Sequence, residues 1–123
     1  MFLGEYQVEL CCGKAHFPYD KEEVKGFSCY LLGYEGGSHR FITLAANDAD
    51  YSDGEVELVK KIPLCIDGED MLFTEEMIAH LSLSDRFIVF CGTGKFIDIM
   101  SKSEFDKSME YSADFDKLLN SII

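Results

Sequence analysis

Tyr6, Val8 and Leu10 alternate with Gln7 and Glu9, the period-two pattern of a strand with one face turned to a core. Gly13 permits a tight turn. Lys14 to Phe17 then returns with Ala15 and Phe17 on one face and Lys14 and His16 on the other, until Pro18 ends the ladder. Asp20 as an N-cap, Glu23 three residues on and Gly26 as a stop predict one or two helical turns. Phe27 to Leu32 and Arg40 to Leu44 read as a hairpin whose loop holds Gly33, Gly36 and Gly37. The first half is thus strand, strand, short helix, strand, strand.

The polar run Asn47 to Gly54 reads as a connection, and after it the order recurs. Val56 to Ile66 is strand-like, with Pro63 marking an edge or a bulge. Asp67-Gly-Glu-Asp70 turns and Met71 to Phe73 returns. Thr74 ahead of Glu75 and Glu76 caps a helix through Leu81, because acids suit the positive end of a helix start. Phe87 to Phe90, a turn over Cys91 to Gly94, and Lys95 to Ile99 repeat the hairpin. Leu10, Phe17, Arg40, Phe41, Ile42 and Leu44 match Ile66, Phe73, Lys95, Phe96, Ile97 and Ile99 at offsets of 55 or 56.

These matches divide one domain into two pseudo-repeats, 1–46 and 56–102, joined by 47–55 and followed by a helical tail over 103–123. Two copies are too few to bury the faces of a solenoid, so the pattern predicts an α+β fold of two ββαββ units forming a β-barrel or sandwich. In the tail, Phe105, Met109, Phe115, Leu118, Leu119 and Ile122 are apolar, with a break near Ser112. Such a helix covers the open end of its own barrel or sits between subunits.

Charge changes the functional picture. The 123 residues carry 11 lysines and arginines against 23 acids, a formal net charge of −12. Nucleic-acid binding needs cations on the contacting face to release counterions from phosphate, so this balance works against it. The N-terminus shows no basic segment followed by an apolar one, and no apolar run approaches the ~18 residues of a membrane span, so a cytoplasmic protein without a membrane partner is expected. The five cysteines, Cys11, Cys12, Cys29, Cys65 and Cys91, are odd in number and form no C-x-x-C pair. Buried, reduced thiols are the expectation, with no zinc site.

Three candidate chemistries can be weighed. Cys91-Gly-Thr-Gly-Lys95 lacks the first glycine of a phosphate loop, since Val89 stands there, and Phe96 follows the lysine. Cys11, Cys12 and His16 bring thiols near a base, but no oxyanion donors or orienting group accompany them, so no catalytic residue, no cofactor and no enzyme is predicted. Asp67, Glu69 and Asp70 form an acidic turn without the alternate spacing and distal glutamate of a calcium loop, so it reads as a solvated acidic turn, with contact to a basic protein partner as the alternative.

Met1-Phe-Leu-Gly-Glu-Tyr-Gln7, Gly13-Lys14, Phe17-Pro18, Phe87-Ile-Val-Phe90 and the run Phe96-Ile-Asp-Ile-Met-Ser-Lys-Ser-Glu-Phe105, together with the doubled organisation, resemble the MraZ family. These bacterial transcriptional regulators are built from two AbrB-like repeats. The resemblance implies a swapped-hairpin β-barrel, a ring-shaped homo-oligomer, and binding to tandem DNA repeats through an Asp-x-x-x-Arg motif at the first hairpin turn of each repeat. In the first copy Cys11 stands near the aspartate place and Lys14 at the arginine place. In the second, Asp67 is kept and Asp70 takes the arginine place, each turn being one residue shorter. Lysine meets a phosphate as a point charge but lacks the fork that reads a guanine edge, and an aspartate repels the backbone.

The resemblance therefore implies a diverged MraZ-like regulator with Lys14, His16, Lys21 and Arg40 as its DNA contacts. The alternative is an acidic protein-interaction module on the same scaffold, using Asp67, Glu69 and Asp70 and binding no DNA.

Overall fold

The computed structural model describes residues 2–34, 39–51 and 56–107. Its strands are β1 (Phe2–Glu9), β2 (Lys14–His16), β3 (Phe27–Tyr34), β4 (Arg40–Ala46), β5 (Val56–Pro63), β6 (Ile66–Asp67), β7 (Asp70–Leu72), β8 (Phe87–Gly94) and β9 (Ile97–Ser101). A 3-10 turn over Lys21–Val24 precedes β3, helix α1 (Glu75–Leu81) precedes β8, and residues 102–107 are helical. The class is α+β, dominated by strand.

Local chemistry explains the short helices. The Asp20 carboxylate accepts from the Glu22 amide at 2.9 Å, and Gly26 at φ +81° turns the chain out of the 3-10 segment into β3. Thr74 caps α1, its hydroxyl accepting from the Met77 amide at 3.2 Å, and Ser82 ends the helix in the left-handed region. His80, in the last turn of α1, is buried. Its Nε2 lies 2.8 Å from the Leu32 carbonyl and 3.0 Å from the Phe41 carbonyl, so it carries the proton and ties α1 to β3 and β4.

Two antiparallel sheets result. Six strands run in the order β1-β8-β9-β4-β3-β5, and three short ones in the order β2-β7-β6. The expected barrel is not formed: the larger sheet ends at β1 and β5, which pair with β8 and β3 and not with each other. The strands that would carry the ladder around are too short for it. β2 is three residues long and is followed at once by Phe17 and Pro18, while β7 runs directly into the α1 cap, so they pair with one another instead.

The pairing has an internal symmetry. Exchanging β1, β3 and β4 for β5, β8 and β9 reverses the order of the large sheet and leaves it unchanged. β4 meets β9 with Thr43 opposite Asp98, flanked by Ile42 opposite Ile99 and Leu44 opposite Ile97. β2 meets β7 with Ala15 opposite Met71, flanked by Lys14 opposite Leu72 and His16 opposite Asp70.

The main core lies between one face of the six-stranded sheet and the layer made by the small sheet and α1. Ile42, Leu44, Ile88, Phe90, Ile97 and Ile99 meet Ala15, Phe17, Met71, Met77 and Leu81 there. Tyr30, Leu32, Phe41 and Ala45 form a second cluster on the opposite face, joined by Tyr51, whose ring lies 4.9 Å from that of Tyr30. β3 and β4 are thus covered on both faces. The expected edge at Pro63 is present, since it closes the edge strand β5, and a bulge at Val59 shifts the β3–β5 register between Leu31 and Leu32. The turn expected over Cys91 to Gly94 is instead the end of β8, and the chain reverses at Lys95 and Phe96.

The helix over 102–107 begins on its own chain, with Glu104 Oε2 2.6 Å from His39 Nδ1. The rest of the predicted tail, including Met109, Phe115, Leu118, Leu119, Ile122 and the break near Ser112, lies outside the described residues. So do Gly36, Gly37 and positions 52–55 of the connection. Among the described residues no helix is long and apolar enough to cross a membrane.

β1 crosses Gly92 closely. A Cβ there would lie 2.6 Å from the Phe2 carbonyl carbon and 2.7 Å from the Leu3 nitrogen. Both contacts are backbone, so Gly92→Ala is expected to lower stability by about 1–3 kcal/mol through forced separation of β1 from β8. An unchanged urea midpoint would show that β1 is not held against β8 at this point.

Candidate functional site

The small sheet gathers most of the residues singled out in the sequence. In the first hairpin, Cys11 and Lys14 exchange backbone hydrogen bonds at 2.9 and 3.0 Å around Cys12 and Gly13, both at positive φ, as in the mirror-image turns that match strand twist. In the second, Gly68 at φ +64° turns Asp67 back onto Asp70. Each hairpin holds the other. The Phe73 amide donates to the Gly13 carbonyl at 2.8 Å, and the Phe17 amide to the Glu69 carbonyl at 2.9 Å.

This pairing sets the charges. Ala15 and Phe17 are buried and Lys14 and His16 are exposed, as their alternation predicts. Because paired residues share a face, His16 lies beside Asp70, and Asp70 beside Asp67. Lys21 reaches across from the 3-10 turn and donates from Nζ to the Gly68 carbonyl at 3.1 Å. Two lysines and one histidine therefore stand with Asp67, Glu69 and Asp70. Arg40 does not join them: it opens β4 in the large sheet, opposite Gly33.

A cleft of about 360 Å³ lies at this face, lined by His16, Tyr19, Lys21, Ile66 and Glu69 among others. Tyr19 anchors one wall, donating to the Gly4 carbonyl at 2.9 Å and packing edge-on against Phe2, Tyr6 and Phe17. Burial, reinforced by the neighbouring Cys91 and Tyr6, pushes the Tyr19 phenol up to about 12, so it remains a neutral donor.

A second concavity, of about 450 Å³, opens beside the Tyr30 cluster and is lined by Leu32, Phe41, Thr43, Tyr51, Phe96 and Asp98 among others. The Thr43 hydroxyl donates to Asp98 Oδ1 at 2.7 Å. Burial raises the pKa of Asp98 above the usual carboxylate range, with the Thr43 hydrogen bond opposing the shift. Asp98 was not singled out by sequence reasoning. Its signal was an acid set between Ile97 and Ile99, with Thr43 at the matching place 55 residues earlier.

The thiols depart from expectation. Cys29 is buried and burial pushes its pKa to about 12, but Cys11, Cys12 and Cys65 are exposed and Cys91 is half-buried. Cys11 and Cys12 sit at a turn rather than within a strand, and Cys65 falls in the link between β5 and β6. Among the described residues no group of three or more His, Cys, Asp or Glu is placed to hold a metal ion.

An acid with a raised folded pKa binds its proton more tightly in the folded chain. Its stabilising contribution is full below the unfolded value and lost as pH rises through the raised one. Asp98→Asn keeps an acceptor for Thr43 and removes that loss. Relative to the parent, the variant is expected to melt higher at pH 7, with the difference shrinking towards pH 3 in thermal melts. An equal or lower melting temperature at pH 7 would refute the assignment. No protein-family model matches the chain and no curated protein matches it, so the functional reading rests on its residues.

Proposed function

We propose that the chain is a cytoplasmic, acidic protein-interaction module on an AbrB/MraZ-like duplicated scaffold, with the β2–β7–β6 face as its contact surface for a basic protein segment. One observation carries this reading: pairing β2 with β7 places His16 beside Asp70 and engages Lys21 on the acidic turn itself. Three of the four residues that the resemblance assigns to phosphate, Lys14, His16 and Lys21, are set with carboxylates on the small sheet, on a chain of net charge −12. The exchange symmetry of the strands supports descent from a duplicated unit. Homo-oligomer formation belongs to the same reading, with β1 and β5 as the outer strands of the large sheet among the described residues. Catalysis forms no part of it.

A MraZ-like transcriptional regulator is the second reading. It is favoured by the exposure of Lys14 and His16 on the outer face of β2, with Arg40 as a separate contact.

The two separate in one binding series. A lysine- and arginine-rich peptide is expected to bind in fluorescence anisotropy and to weaken by about tenfold or more when Asp67 and Glu69 are both changed to lysine. A duplex of tandem repeats is expected to show no binding at ~100 mM salt. Duplex binding that falls steeply with salt and disappears in Lys14→Ala would replace the first reading with the second.

A further inference from the structure

Cys11 and Cys12 are both exposed at the tip of the first hairpin, with their Sγ atoms 3.7 Å apart. Successive side chains of an extended strand point to opposite faces, so neighbouring thiols meet only where the backbone leaves that conformation. It does so here. Cys12 adopts φ +55° and Gly13 φ +75°, and the paired hydrogen bonds between Cys11 and Lys14 close the turn around them. Glycine, asparagine or aspartate ordinarily fills the place of Cys12 in such turns, because most side chains are strained at positive φ and these three are the least so. The matching turn of the second hairpin has Asp67 and Gly68 at the corresponding places and no thiol.

Cys11 is not arranged as a lone nucleophile. The hydrogen bond with Cys12 and the proximity of its charge raise the pKa of Cys11, Glu9 adds to the effect, and Arg86 opposes it only as the last of these influences. A centre that bonds both sulfurs at once takes the place of both thiol protons. Bonded to each sulfur at ~2.3 Å, the length of a zinc–thiolate bond, a centre would see sulfurs 3.7 Å apart at close to the tetrahedral angle. Among the described residues no further ligand cluster completes a four-donor zinc shell. The fitting occupant is therefore one that brings its remaining ligand with it.

We propose that Cys11 and Cys12 form a vicinal dithiol site that chelates a thiophilic trivalent metalloid of the organoarsenic type. Arsenic forms two As–S bonds and loses its As–O bond. The oxygen leaves as water with the two thiol protons, and arsenic stays trivalent, so no oxidant or reductant is consumed. The site lies at the tip of the first hairpin and does not rest on the function proposed for the small sheet.

The probe is phenylarsine oxide, added to the reduced full chain and followed by mass spectrometry and by thiol titration. One adduct per chain is expected, formed with loss of one water and of two titratable thiols. Cys11→Ser and Cys12→Ser should each weaken retention against a competing monothiol on the order of 100-fold, since each leaves a single bond where the chelate had two. Cys65→Ser removes another exposed thiol and should leave retention unchanged. An adduct retained in either Cys11→Ser or Cys12→Ser, one lost in Cys65→Ser, or a mass corresponding to two chains bridged by one arsenic would overturn the proposal.

Discussion

Three residue pairs at the centre of the large sheet join the two halves of the chain. Ile42, Leu44, Ile97 and Ile99 are all fully buried where β4 meets β9, and each such side chain contributes about 1.5–3 kcal/mol on leaving water. The register matters as much as the burial. Side chains alternate along a strand, so a slip of one residue in either strand would present Thr43 or Asp98 to the main core in place of an aliphatic side chain. An ionisable group there is costly unless paired, whereas in the observed register Thr43 and Asp98 face one another beside the second concavity and satisfy each other. Two polar residues in an apolar stretch thus act against the wrong alignment.

The small sheet repeats this logic under its charged outer face. Ala15 and Met71 are buried side by side at its centre, which holds β2 and β7 in one register and leaves Lys14 and His16 outward. From that single constraint the charge arrangement follows, because the residue opposite His16 must then be Asp70. The cross-anchoring of Phe17 to Glu69 and of Phe73 to Gly13 makes the two hairpins one unit. Their exposed residues therefore present one mixed, predominantly acidic surface and not two separate turns.

What could be read in the sequence was what local chemistry decides. Thr74 capped its helix, Pro63 closed an edge strand, Asp20 capped a short turn, and Ala15 with Phe17 took the buried side. What could not be read depends on partners distant in the chain. The alternation of Tyr6, Val8 and Leu10 is that of a half-buried strand, yet Tyr6 remains exposed because β1 is an edge strand. Cys91 to Gly94 looks like a turn by composition. Gly92 is there because β1 passes too close for a side chain, and so the residues belong to a strand. Closure into a barrel was likewise a question of which strands β1 and β5 pair with. The contact of Lys21 with a carbonyl 47 residues away also depends on the fold and not on its neighbours in sequence.

Outer strands carry their own hazard, which the chain meets at β1 and β5 with charge and irregularity. Leu3 is 69 % exposed on β1 and Val59 57 % exposed on β5, so among the described residues both outer strands offer apolar side chains beside their outer backbone edges. On β1, however, Glu5, Gln7 and Glu9 interrupt the apolar positions, and on β5 Glu57, Lys60 and Lys61 do the same while the bulge at Val59 breaks the regular ladder. Like charges meeting across two β1 edges would repel, whereas an edge carrying Lys60 and Lys61 meets the acids of β1 with the opposite sign. Any strand added to this sheet is therefore selected by charge before it is selected by shape. The acids on the small sheet thus have a counterpart in the charges along the outer strands of the large one.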